Sequence, residues 1–348
     1  MQNTAPASIN PRLSARKRVL HGAAYYIDGI RSGNRVVLGQ AITLMESSLP
    51  AHQVLAAEIL DACLPATGQS LRLGITGVPG VGKSTFIDLF GMFLVNKGYK
   101  VAVLAVDPSS QLSGGSILGD KTRMANLSVH ENVFIRPSPA GSALGGVAQH
   151  TRETMLLCEA AGFDIIIVET VGVGQSETAV HDMTDFFLLL LLPGAGDELQ
   201  GIKRGIVEMA DLLAVNKADG EALPAARRAR AAYQQALHLF PPKPSQWIPE
   251  VLTCSAVKGL GIEEIWTTVE KYCTLTRKNG YFEEQRKAQA VDWLHDGLRE
   301  QLMRSFYQHP KVQKQLPEAE EAIRTGKRAI PGLVRALLQA FTGSEETK

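Results

Sequence analysis

The sequence is poor in the features that mark secreted, membrane-spanning or metal-cluster proteins. Cysteine is scarce: Cys63, Cys158, Cys254 and Cys273 are the only four, they lie far apart, and no two form a C-x-x-C pair. That spacing excludes a disulfide framework and predicts reduced, mostly buried thiols in a cytoplasmic protein. The eight histidines are scattered too, and none sits at ligand spacing beside a cysteine, which argues against a zinc or nickel site. The longest apolar run, Phe186 to Leu192, is far too short to span a bilayer, and no signal peptide is visible. Neither sign of charge dominates: Lys and Arg number 36 against 35 Asp and Glu, so nothing draws the chain as a whole to nucleic acid or a membrane. The one charge run, Arg12, Arg16, Lys17 and Arg18, with no acid before Asp28, reads as a solvated N-terminal helix; an organelle-targeting helix is the other reading.

What is present is a core-forming chain. Hydrophobic residues make up 45% of 348, enough for one large α/β domain with helical additions. Residues 1–10 read as a tail. Residues 12–66 read as helical, with Leu38, Ala41, Ile42 and Met45 and then Leu55, Ile59 and Cys63 at helical spacing, punctuated at Gly33-Asn34 and Leu49-Pro50. This region is either a cap packed on the next domain or a partner-binding surface. From about 70 to 276 apolar strands alternate with helices. The strand candidates are Leu71–Thr76, Val101–Val106, Ile165–Val168, Phe186–Leu192, Asp211–Val215 and Val251–Cys254. Nearly continuous apolar strands suit a mostly parallel sheet covered on both faces. Residues 281 to about 308 form a long amphipathic helix with Val291, Leu294, Leu298, Leu302 and Phe306 on one stripe. Two further helices follow, the last carrying Leu333, Val334, Leu337, Leu338 and Phe341. These helices either pack on their own domain or make a dimerising arm. The predicted division is 1–68, an N-terminal tail and helical extension; 69–278, a nucleotide domain; and 279–348, a C-terminal helical arm.

The motif around which this order makes sense is Gly77-Val78-Pro79-Gly80-Val81-Gly82-Lys83-Ser84-Thr85, a full G-x-x-x-x-G-K-[ST] loop between a strand and a helix. Its glycines let backbone N–H groups turn inward to cradle a β-phosphate at a helix N-terminus. Lys83 is placed to neutralise β- and γ-phosphates and the Ser84 hydroxyl to ligate Mg²⁺. Asn216-Lys217-Ala218-Asp219 follows another strand, where an aspartate accepts both the N1–H and the exocyclic amine of guanine, a pair adenine does not offer. Ser255, Ala256 and Val257 follow a third strand, where a backbone amide meets guanine O6. Glu169-Thr170-Val171-Gly172 occupies the Asp-x-x-Gly position of many GTPases, its carboxylate suited to the magnesium shell. Asp107 and Asp120 are further magnesium candidates, and Arg123 is placed to balance phosphate charge. The stretch Pro193 to Gly205 is richer in glycine and charge than a connector needs and reads as a switch that orders around the γ-phosphate, with Lys203 the candidate to stabilise charge there. Nothing in the sequence identifies the group that orients the attacking water, although Gln175 and Glu177 lie nearby.

From about Gly29 to Trp266 the chain resembles the MeaB/ArgK-type P-loop GTPases, bacterial relatives of the human methylmalonic aciduria type A protein. The runs that carry the resemblance begin at Val106-Asp107-Pro108, Ser113-Gly114-Gly115, Glu169-Thr170-Val171-Gly172 and Pro193-Gly194-Ala195-Gly196. It implies a P-loop NTPase fold with a mostly parallel sheet flanked by helices, and GTP hydrolysis with Mg²⁺. It also implies a homodimer formed through the C-terminal helices, and a chaperone role for adenosylcobalamin-dependent methylmalonyl-CoA mutase, gating cofactor loading and protecting the enzyme. The resemblance matches the loop Gly77 to Thr85, the magnesium candidates Ser84, Asp107, Asp120 and Glu169, and the base readers Asn216, Lys217 and Asp219. Two other classes stay open: an ATPase or kinase serving lysine/arginine/ornithine transport, disfavoured by Asn216 to Asp219, and a metal-insertion GTPase, disfavoured by the missing Cys/His cluster.

Overall fold

The computed structural model describes residues 20–106, 124–137, 144–170, 176–194 and 204–343. Seven parallel strands form one sheet: β1 (Leu71–Gly77), β2 (Val101–Val106), β3 (Val133–Arg136), β4 (Ile165–Thr170), β5 (Phe186–Leu191), β6 (Leu212–Val215) and β7 (Glu250–Thr253), in the order β3-β2-β4-β1-β5-β6-β7. β1 therefore lies between β4 and β5, pairing Ile75 with Glu169 on one side and Gly77 with Leu190 on the other. All residues of β1, β2, β4, β5 and β6 are buried, as expected of strands covered on both faces. Alternation decides which side each residue serves. Leu73, Ile75, Val103, Ile167, Leu188 and Leu190 face the helices Lys83–Asn96 and Ile262–Lys278. Leu104, Val168, Phe187, Leu189 and Leu213 face the other layer, whose helices are Ala23–Arg31, Arg35–Met45, Pro50–Cys63, Leu144–Ala160, Ser176–His181 and Leu223–Leu237.

The N-terminal helices share that second core, and the sequence punctuation is visible in their caps. Gly33 leaves the first helix at φ 72°. The Asn34 side chain then caps the second by accepting from the Val36 and Val37 amides at 3.0 and 3.2 Å, and Pro50 opens the third. Among the described residues the first helix begins at Ala23; residues 12–19, with the basic run, lie outside the described residues. β3 was not anticipated. It is a four-residue edge strand with three half-buried positions, too short to show alternation. Three of the four cysteine thiols are buried and none is paired, and among the described residues no helix is long and apolar enough to cross a membrane.

The chain turns at Asn279-Gly280 into the helix Tyr281–Gln308, whose root is clamped to the sheet. Arg286 donates to both carboxylate oxygens of Asp185, at 2.7 and 2.6 Å, and to the carbonyls of Gly68 and Ser70. Asp185 also accepts from the Arg72 amide, and Gln289 reaches the Thr184 carbonyl. Arg286→Ala leaves the Asp185 carboxylate, 1% exposed, without its counter-charge. Breaking a buried pair costs about 3–5 kcal/mol, and the surviving Arg72 bond places this case at the low end. A urea titration is expected to show that loss, recovered in part by Arg286→Ala combined with Asp185→Ala.

Beyond its root the same helix stays against Leu144–Ala160 through Trp293 and Asp296, which accepts from Arg152 at 2.8 Å, but another face is open. Val291, Leu294, Leu298 and Leu302 are each more than half exposed, so the stripe is largely left uncovered by the nucleotide domain. Phe306 alone is half-buried, edge-on to Phe341 of the last helix, Ile330–Thr342.

Candidate functional site

The strand order reverses beside β1, and ligands of open α/β sheets bind outside the carboxyl ends of strands at such a point. There the chain leaves Gly77 and turns through Val78 and Pro79 into the helix Lys83–Asn96. A Cβ on Gly77 would lie 2.6 Å from the Leu190 carbonyl oxygen, so only glycine lets β1 end this close to β5. Gly80 and Gly82 take left-handed backbone, φ 78° and 91°, a region L side chains avoid. Val81 between them is fully buried and anchors the loop in the core, while Thr85 is exposed.

Lys83 folds back over the loop, its Nζ donating to the Gly77 carbonyl at 2.6 Å. Burial pushes its pKa down, against the opposing pull of the carboxylates of Glu169 and Glu177. Those two side chains are 3% and 5% exposed. Glu169 is the penultimate residue of β4, in register with Ile75 and Ala105, and the Thr76 and Thr170 hydroxyls, 2.9 Å apart, join β1 to β4 beside it. Glu177 is the residue sequence reasoning undervalued: an acid one step into a short helix gives no sign that it is buried. The Ser84 hydroxyl is half-buried and has no hydrogen-bond partner among the described residues. A lysine partly stripped of water and a free hydroxyl at a helix N-terminus fit a polyphosphate and its Mg²⁺. Among the described residues no three His, Cys, Asp or Glu gather as a metal site. Mg²⁺ is ordinarily held by one or two protein oxygens plus phosphates and water. Ser84 and Glu169 supply hard oxygen. Asp107, Asp120, Arg123 and Lys203 lie outside the described residues, as do Gly172, Gln175 and the stretch from Ala195 to Lys203 that the sequence pattern reads as a switch.

The loop after β6 is tied directly to the phosphate loop. Asn216 donates to the Val81 carbonyl at 2.8 Å, and its Oδ1 accepts from the Ala256 amide at 3.1 Å. Lys217 donates to the Gly80 carbonyl at 2.7 Å from a left-handed backbone, φ 57°, which is uncommon for a side-chain-bearing residue. Asp219 is half-exposed in extended backbone, and although it stands at the N-cap of Gly220–Ala222 it does not cap that turn. Its carboxylate is left without a hydrogen-bond partner among the described residues. After β7, Ser255 pairs with Leu260 across a tight turn, Ala256 is buried, and Val257 points outward, 77% exposed. The structure thus gathers the loop from Gly77 to Thr85, Glu169, Asn216 to Asp219 and Ser255 to Ala256 at one end of the sheet.

Comparisons with known proteins bear on the family and the fold. The profile of the family described as "Methylmalonyl Co-A mutase-associated GTPase MeaB" matches residues 38–311. A putative GTPase of Caulobacter vibrioides is 53% identical over 89% of this chain and 95% of its own length. The GTPase ArgK of Escherichia coli is 51% identical over 80% of this chain and 84% of its own. The mitochondrial methylmalonic aciduria type A homolog of Mus musculus is 44% identical over 90% and 78%. Among solved structures, one described as a LAO/AO transport system kinase superposes with a TM-score of 0.73 at 40% identity, over 94% of this chain and all of that one. Matched by that profile over most of its length, and sharing half its residues with GTPases of the same build, the chain belongs to the MeaB family of methylmalonyl-CoA mutase-associated GTPases, and guanine nucleotide is the ligand that family implies.

Proposed function

We propose that this chain hydrolyses GTP as a homodimeric switch, gating adenosylcobalamin loading into methylmalonyl-CoA mutase and protecting that enzyme. The observation that carries the nucleotide half is the tether of Asn216 and Lys217 to the phosphate loop, which holds base reading and phosphate binding in fixed register. In this reading the loop backbone from Gly77 to Thr85 cradles the phosphates, Asp219 reads the guanine edge, and the turn of Ser255, Ala256 and Val257 closes over the base. Mg²⁺, when bound, would offset phosphate charge, and Ser84, Asp107, Asp120 and Glu169 are the residues proposed to hold it. Lys83 and Lys203 stabilise charge on the transferring phosphoryl group. Catalysis of this kind is mostly positioning and electrostatics, so turnover is slow until a partner completes the site. The mutase half rests on the family's description. GTP hydrolysis measured with and without the mutase of the same genome is expected to rise tenfold or more, about 1.4 kcal/mol off the barrier. Equal rates, and equal mutase affinity in the GTP and GDP states, overturn it.

The description of the structural relative as a transport kinase suggests a second reading, phosphotransfer from ATP to another protein. The free Asp219 carboxylate favours guanine, and transfer supported by ATP but not GTP is the result that would revive it. The chain would divide into an N-terminal extension (1–68), the GTPase domain (69–278) and a C-terminal arm (279–348). The exposed stripe of that arm supports dimerisation, because Val291, Leu294, Leu298 and Leu302 align on one helix face and are each more than half exposed. Leu298→Glu combined with Leu302→Glu is expected to sediment as a monomer where the unaltered chain sediments as a dimer.

A further inference from the structure

The end of the sheet opposite the phosphate loop carries a second built site. A cavity of about 510 Å³ opens at the amino ends of β5 and β6, lined by Asp211, Phe240, Lys243, Trp247, Tyr272 and Tyr281 among others. Tyr272 lies edge-on to Phe186, the first residue of β5, with ring centroids 5.0 Å apart, and to Trp247 at 5.5 Å. The walls are fixed before anything enters. Lys243 donates to the carbonyls of Met209 and Ala210 and to Asp211, at 2.8, 2.8 and 2.7 Å. The Trp247 indole N–H donates to the Asp211 carbonyl at 2.8 Å, and Asn279 holds the Ser245 carbonyl. The outer wall contains Pro241, Pro242, Pro244 and Pro249, whose fixed φ leaves little backbone freedom to lose on binding.

Two features select the occupant. Tyr272 is only 2% exposed, and its hydroxyl, which has no hydrogen-bond partner among the described residues, is not fully enclosed and so is open toward the cavity it lines. Burial, with the nearby Asp211 carboxylate, pushes its pKa far up, so it stays protonated and able to donate. Among the described lining residues Lys243 is the only lysine or arginine, and an ammonium has three hydrogens, all of them already engaged. No free ammonium or guanidinium remains among the described lining residues for an anion such as a phosphate. Aromatic and proline walls, with the hydroxyls of Tyr272 and Tyr281 unpaired among the described residues, suit a flat, neutral ligand, and the volume is in the range of small-molecule sites.

We infer that this cavity binds a neutral, flat aromatic molecule that accepts a hydrogen bond from Tyr272, at a site separate from the nucleotide. The inference stands whether or not the mutase is the partner. Quinoline, a neutral bicycle with one acceptor nitrogen, is the probe. Titrated into the full chain, it is expected to shift the Trp247 indole N–H resonance saturably, that resonance being assigned by its loss in Trp247→Phe. Tyr272→Phe keeps the ring and removes the hydroxyl, and is expected to raise the quinoline Kd about threefold to tenfold, the span of one neutral hydrogen bond. His238→Trp, at an exposed lining position, is expected to obstruct entry. Unchanged GDP binding in both variants shows that they fold. No saturable shift at Trp247, or equal quinoline affinity in Tyr272→Phe, overturns the assignment.

Discussion

Asp219→Asn is expected to weaken GTP and GDP binding about a thousandfold while raising affinity for xanthine nucleotides. Guanine presents two donors on one edge, N1–H and the exocyclic amine, and the free Asp219 carboxylate offers two acceptors. Hydrogen bonds to a charged group are each worth about 1.5–3 kcal/mol. The asparagine amide keeps one acceptor but sets an NH₂ against a donor, so one bond is lost and a repulsion added. A thousandfold is about 4 kcal/mol. Xanthine carries an oxygen where guanine carries the amine, and the same NH₂ donates to it. Because Asn216 and Lys217 hold the loop from behind, the substitution changes the pairing edge and leaves the loop in place. Displacement of a fluorescent GDP by GDP, ADP and XDP reads all three affinities. Unchanged GDP affinity means that the base is read elsewhere; a gain for ADP means that the loop was sensing shape rather than hydrogen bonds.

The parts of this site legible in the sequence are those where chemistry dictates residue type. A loop that wraps phosphate needs glycine at left-handed positions, and Gly80 and Gly82 occupy them. A guanine edge needs a carboxylate after a strand, and Asp219 is there. What stayed hidden depends on distant packing. The left-handed backbone of Lys217 is held by its bond to Gly80, remote in sequence, and no propensity of lysine announces it. Glu177 is buried by the fold, not by its neighbours in the chain. The stripe on Tyr281–Gln308 was visible as apolar, but which surface it meets is decided by the Arg286 clamp at the root of the helix. The cavity under Tyr272 draws its walls from residues between His181 and Gln285, and no local pattern marks it.

Lys83→Met is expected to lower single-turnover GTP hydrolysis about a thousandfold, the upper part of the range for removing one preorganised donor from a transition state, and to flatten the alkaline limb of nucleotide affinity. The second effect follows from proton linkage. Burial lowers the Lys83 pKa in the nucleotide-free protein, so the folded chain releases this proton at lower pH than the unfolded chain does. Within that window the unfolded state binds more protons, and the Lys83 contribution to stability rises with pH. Nucleotide reverses the sign. Phosphate charge beside the ammonium raises its pKa, so the complex keeps a proton that the free protein has lost. Binding then takes up protons and weakens as pH climbs through the depressed value, while below it Lys83 adds no slope. Guanine N1–H also titrates at the alkaline end, so the slope retained by Lys83→Met belongs to the base, and the difference between the two proteins belongs to the lysine. Calorimetry of GDP binding in buffers of different ionisation enthalpy measures the protons taken up. Equal uptake in both proteins would show that Lys83 is not the charge the phosphates meet, and would move the search for it to Lys203.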